Sequence, residues 1–154
     1  MITVKTTQRK IKVNLEKLKK DARTVLGLLN YHDFVLNIFL TTNKTIRAYN
    51  KKFRDIDKPT DILSFPFYPN LKPGEHIVPT VQDDKNLGDI IISLEYVQKN
   101  AKKLKTTIDD RLQALLVHGI CHLIGYDHKT EEEYKQMQEK ERWLLKHLKS
   151  QGNK

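Results

Sequence analysis

Three histidines carry the clearest chemical signal in this chain. They sit in residues 117–128, VHGICHLIGYDH, as His118, His122 and His128. A spacing of four places His118 and His122 one above the other on a helix face, about 6 Å apart along the axis. Gly125 follows, a residue able to take the left-handed conformation that ends a helix and reverses the chain. The reversal returns His128 as a third imidazole. Three neutral imidazoles with no thiolate leave a tetrahedral ion one open position for water, the layout of a catalytic zinc site. Zinc lowers the pKa of a bound water from 15.7 to about 7 and polarises a phosphoryl oxygen.

The spacing matches H-E-x-x-H-x-x-G-x-x-H, the metzincin pattern, at both helix histidines, the glycine and the last histidine. The glutamate, which acts there as general base, is replaced by Gly119. The metal cage is therefore kept while the usual peptidase base is absent. Asp127, adjacent to a ligand, has three readings: a base, an acceptor that orients an imidazole, or a turn residue. Cys121 lies about 100° from His122 on the helix wheel and points elsewhere, so it does not supply a fourth ligand.

The stretch HGxxHLxGYDH closely resembles the signature of the YbeY family, metal-dependent endoribonucleases of ribosomal RNA maturation. Two further stretches are similar to that family: FRDIDKPTDILSFPF at residues 53–67 and LGDIIIS at residues 87–93. Cys121 stands where the signature has leucine, a small apolar exchange. Together with element order and length, the resemblance covers essentially the whole chain. It implies a zincin-like metal helix and a zinc-dependent, single-strand-specific endoribonuclease whose partner is a ribosomal RNA precursor or ribosomal subunit. It also implies that Arg54 belongs to the active cleft and that Asp89 lies at it. Taken as residues alone, Arg54 better suits an ion pair with Asp55, Asp57 or Asp61, and Asp89 equally suits a structural hydrogen bond.

The elements that must position these groups follow from pattern. Residues 2–7 read as a strand. Asn14 caps a helix to about residue 30, with Leu15, Leu18, Ala22, Val25, Leu26 and Leu29 as its core stripe. Residues 34–40, FVLNIFL, are apolar on nearly both faces and belong inside the sheet. Thr42 or Asn43 caps a short helix whose inner row is Ile46, Tyr49 and Phe53. Residues 62–67 form a strand that Pro66 assigns to an edge, since proline donates nothing to a ladder. Residues 68–86, rich in proline, read as a long mobile loop. Asp89 is the lone charge of a fourth strand, residues 87–92, and a carboxylate there needs a partner. Ser93 caps the next helix, and Thr107 the metal helix. Thr130 opens the last helix with Tyr134, Met137, Leu144 and Leu148 inward. The fold class expected is α+β: one domain over residues 1–154, a small mixed sheet of about four strands packed with helices.

Composition narrows the function. Net charge is +9, from 28 Lys+Arg against 19 Asp+Glu, without a basic tail. The folded surface then carries the charge and favours a polyanionic partner. No apolar run approaches the ~20 residues of a membrane span, so no membrane partner is expected. The N-terminal residues lack the apolar core of a signal peptide. One cysteine makes no internal disulfide, and a cytoplasmic location is expected. Two rivals to the nuclease remain at this point: a non-catalytic RNA-binding assembly factor with a structural metal, and a metallohydrolase of another substrate.

Overall fold

The structure is a computed structural model and describes residues 1–152. Its elements run β1 (Ile2–Thr6), α1 (Leu15–Leu28), β2 (Val35–Thr41), α2 (Asn43–Arg54), β3 (Ile62–Pro66), β4 (Asn86–Ser93), α3 (Leu94–Lys103), α4 (Ile108–Leu123) and α5 (Glu131–Gly152). The helix starts follow their caps. Asn14, Thr42, Ser93 and Thr107 each accept, through a side-chain oxygen, the backbone N–H three residues on. That bond satisfies one of the amides a helix start leaves unpaired.

The strands form one sheet in the order β1-β2-β4-β3. β1, β2 and β4 are parallel, and β3 is antiparallel to β4. The sheet is thus mixed and four-stranded, with β2 interior and the proline-bearing β3 at an edge. Its two faces are unequal. Leu36, Ile38, Leu40, Ile90 and Ile92 join the large core with buried residues of α1, α3, α4 and α5. The opposite face carries a small cluster of Ile46, Leu63 and Ile91, bordered by Phe39, Tyr49 and Phe65. Among the described residues only α2 supplies that cover, so much of this second face is open.

Four expectations need correction. Leu15 is 36% exposed at the first turn of α1, where the helix has not yet reached the core. Tyr134 is 52% exposed, while Met137, Leu144 and Leu148 carry the buried face of α5 as expected. Phe53, expected on the inner row of α2, is 54% exposed in the last turn of that helix, although its ring meets Phe65 of β3 edge-on. The segment 68–86 is not a free loop. Ile77 is buried and donates its N–H to Tyr31 Oη at 3.0 Å, and the His76 ring stacks on Tyr31 at 4.3 Å. Tyr68 Oη donates to the Asp84 carbonyl at 2.5 Å. These contacts hold the segment against the core beside the histidine site.

Candidate metal centre

The cage is built by one helix and the turn that ends it. α4 is buried along Leu112, Leu115, Leu116, Ile120 and Leu123, which fixes its rotation on the sheet. His118 and His122 then fall at the edge of the buried stripe, half-buried. After Leu123 the chain closes a Schellman turn: Gly125 N–H donates to the His122 carbonyl at 3.1 Å and Tyr126 N–H to the Cys121 carbonyl at 3.0 Å. Gly125 has φ +104, a conformation that costs a residue with Cβ dearly. A Cβ there would also lie 2.5 Å from the Leu71 carbonyl oxygen. This turn brings the exposed His128 back to the other two. One ring nitrogen from each of the three histidines lies within 4.8 Å of the other two.

Each helix histidine is oriented from behind. His118 Nδ1 is 2.6 Å from a Glu141 carboxylate oxygen on α5, and His122 Nδ1 is 2.9 Å from the Tyr126 carbonyl. Both partners are acceptors, so each ring carries its proton on Nδ1 and leaves the Nε2 lone pair free. Burial, and then the neighbouring His118 and His128, hold the His122 imidazole below its ordinary pKa, which keeps it a neutral ligand. Among the described residues no fourth metal-ligating side chain joins the group. Cys121 is fully buried, and burial pushes its thiol pKa up. A three-imidazole set with one position left open suits zinc and a catalytic rather than a structural role.

Arg54 shares the cleft with the site. Both it and His122 line a space of about 490 Å³, with Ser64, Tyr68 and Asp127. Two of its three acidic rivals are engaged elsewhere: Asp57 bonds Arg47 at 2.8 Å, and Asp61 pairs with Arg111 at 3.5 Å. Among the described residues Arg54 makes no ion pair, so its guanidinium remains available to an anion.

The other candidates fall differently. Asp127 lines the cleft, but its Oδ1 accepts the His128 backbone N–H at 2.8 Å rather than an imidazole proton. That bond is local to the turn that carries His128. Asp89 is not brought to the histidines. In β4 its neighbour Ile90 faces α4, so Asp89 projects from the opposite face, exposed, where it accepts from Asn37 Nδ2 at 2.9 Å. The partner it needed is a residue of β2. Gly119 explains the absent glutamate: a Cβ there would sit 2.9 Å from Cδ1 of both Ile62 and Ile90. The position faces the sheet and not the cleft. Glu141 was missed by sequence reasoning. It is one of several acids on a charged helix, and the only hint was that a ligating His118 requires an acceptor.

The fold and site together define a small α+β protein with an open three-histidine centre of the hydrolytic type. Comparison with known proteins narrows this. The family model described as Endoribonuclease YbeY matches residues 3–149. The chain belongs to that family of RNA-cleaving enzymes. A protein named Endoribonuclease YbeY from Homo sapiens is 38% identical over 147 residues, covering 96% of this chain and 87% of its own. Another of that name, from Acetivibrio thermocellus, is 34% identical and covers 99% of both chains. A Thermotoga maritima protein whose structure was solved in solution superposes with a TM-score of 0.59 at 25% identity, covering 98% of this chain and 93% of its own.

Proposed function

We propose that this protein is a zinc-dependent endoribonuclease of the cytoplasm that cuts single-stranded regions of ribosomal RNA precursors. The observation that carries the reading is a cleft shared by Arg54, without an ion pair among the described residues, and His122, one member of the three-imidazole group. When bound, the ion supplies Lewis acidity toward a phosphoryl oxygen and an acidified water near neutral pH. The chain's own residues do the rest. His118, His122 and His128 hold the ion, with Glu141 and the Tyr126 carbonyl fixing two of the rings. Arg54 presents a planar fork to the phosphate and meets the charge that builds on it during cleavage. RNA as substrate rests on the relatives' name, with support from the net charge of +9. The ribosomal origin of that RNA rests on the motif resemblance.

The test is single-turnover cleavage of a short unstructured RNA by native, chelator-stripped and zinc-reconstituted protein. Cleavage should vanish on stripping and return with zinc. The double variant His118→Ala/His128→Ala should bind no zinc and cut nothing. Full cleavage by the stripped protein would sink the metal-dependent reading. Binding without cleavage under every condition would favour the non-catalytic assembly factor. Precursor ribosomal RNA, offered beside unrelated RNA of equal length, tests the substrate.

A further inference from the structure

Phe53 is an anomaly of this surface. Its helix pattern sends it inward, yet it stands 54% exposed. It is nevertheless held in place. Its ring lies nearly parallel to Tyr49, with centroids 6.1 Å apart, and meets Phe65 edge-on at 5.1 Å. Lys52 Nζ sits 5.3 Å from the ring centroid. Phe53 and Phe65 border two clefts at once. One is the 490 Å³ cleft that holds Arg54 and His122. The other, of about 620 Å³, lies on the open sheet face with Lys5, Asn37, Tyr49 and Asp89. The two rings therefore stand at the junction between the metal cleft and the open face.

We propose that Phe53, backed by Tyr49 and Phe65, is a stacking platform for an unpaired base. The RNA strand would run from the metal cleft across this platform onto the open sheet face. The inference rests on the endoribonuclease reading and assigns residues to its single-strand selectivity. The chemistry matches one occupant. Unpaired bases stack on exposed aromatic rings, and the phosphates between them take cations. Here Lys52 and Arg54 flank the ring in sequence, and Lys5 borders the second cleft. The mainly apolar floor of that cleft carries one polar pair, the Asp89 carboxylate accepting from the Asn37 amide. A carboxylate repels phosphate and accepts hydrogen bonds from the exocyclic amines of bases. Bases therefore face the sheet and phosphates face the lysines. A duplex, whose bases are already stacked, presents no free ring face to Phe53.

The experiment uses the full, zinc-loaded chain and a short single-stranded RNA, with binding read by stopped flow before cleavage sets in. Phe53→Leu keeps an apolar side chain without the ring, and Phe53→Trp keeps an aromatic. Phe53→Leu should weaken binding roughly 10-fold, the scale of one lost stack, with zinc content unchanged. Phe53→Trp should bind as the native protein does. One abasic position in the RNA should weaken native binding by the same factor, and should cost Phe53→Leu nothing further. 2-Aminopurine at that position should be quenched by native protein and not by Phe53→Leu. The abasic series on native protein serves even if Phe53→Leu misfolds: equal affinity for every abasic RNA and the intact one overturns the platform. Unchanged RNA affinity in Phe53→Leu does the same and leaves this face to a protein partner. In both cases continued RNA cleavage by native protein preserves the endoribonuclease reading. A native protein that neither binds nor cuts RNA overturns both.

Discussion

The Glu141 carboxylate, on the last helix, lies 2.6 Å from Nδ1 of His118 on the metal helix. The two residues are 23 positions apart, and the contact ties the orientation of a ligand to the docking of α5. Partners of this kind typically govern metal affinity by 10–100-fold. Glu141→Ala should therefore weaken zinc binding by about that factor, read by competition with a fluorescent chelator. Glu141→Gln should fall between the two, since its amide oxygen still accepts the Nδ1 proton without the charge. Native affinity in Glu141→Ala would show that His118 needs no support from α5.

Arg54 separates catalysis from binding. It reaches the cleft from α2 and holds no ion, so Arg54→Ala should keep its zinc and its fold. Single-turnover cleavage should drop by roughly 10²-fold, the order seen on removing one preorganised donor. Equilibrium RNA binding should drop far less, because one phosphate contact among several contributes little. Arg54→Lys should recover only part of the rate, since an ammonium lacks the two-pronged contact. Equal losses in rate and binding would make Arg54 a uniform binding residue.

Two glycines of the signature have different jobs, and substitution separates them. Gly119 sits under Ile62 and Ile90 in the helix–sheet contact. Gly119→Glu should supply no base and should lower stability by roughly 2 kcal/mol or more, through overpacking and a buried unpaired carboxylate. Gly125→Ala meets both a positive φ and the Leu71 carbonyl. It should lose zinc affinity as well, because His128 hangs on that turn. Urea unfolding beside zinc titration reads both variants. A stable Gly119→Glu with peptidase activity would show that this position faces the cleft.

The connection after α2 supplies a pH dependence. Hydrogen bonding to Arg47 holds the Asp57 carboxyl below its ordinary value of 3.8. The folded pKa is thus depressed, so the contribution is fully present above about pH 4 and is lost as pH falls through the folded value. The pair is exposed and salt-screened, so the effect is small. Asp57→Asn should melt slightly below the native protein at pH 7 in low salt. The two should melt together in high salt or at pH 2. A difference that survives at pH 2 would assign Asp57 a role other than this ion pair.

Salt should act on the partner in the same direction but more strongly. RNA affinity should fall steeply between low and high salt, because lysines and arginines of the folded surface displace counterions from phosphates. The motive is the charge of +9 without a basic tail. Affinity that stays flat across the titration would mean that the basic surface is not the RNA surface.

The metal cage was legible in the sequence because each of its parts is local. Spacing of four on a helix, a glycine that reverses the chain and a histidine three residues later are short-range geometry, and no distant contact is needed to bring them together. The caps, the interior β2 and the proline-marked edge strand were legible for the same reason, since propensity and patterning act over a few residues. What the tertiary structure decided lies across long separations. Glu141 meets His118 only because α5 folds back on α4. Two of the acids that could have paired with Arg54, Asp57 and Asp61, are taken by Arg47 and Arg111. Asp89 had one charge's worth of ambiguity, and the pleat of β4 resolved it: with Ile90 against the metal helix, the residue before it must project from the other face. Phe53 looked like core because a helix wheel records which side a residue is on and not where the opposing sheet ends. Its exposure is a property of the assembled surface, which no stretch of sequence contains.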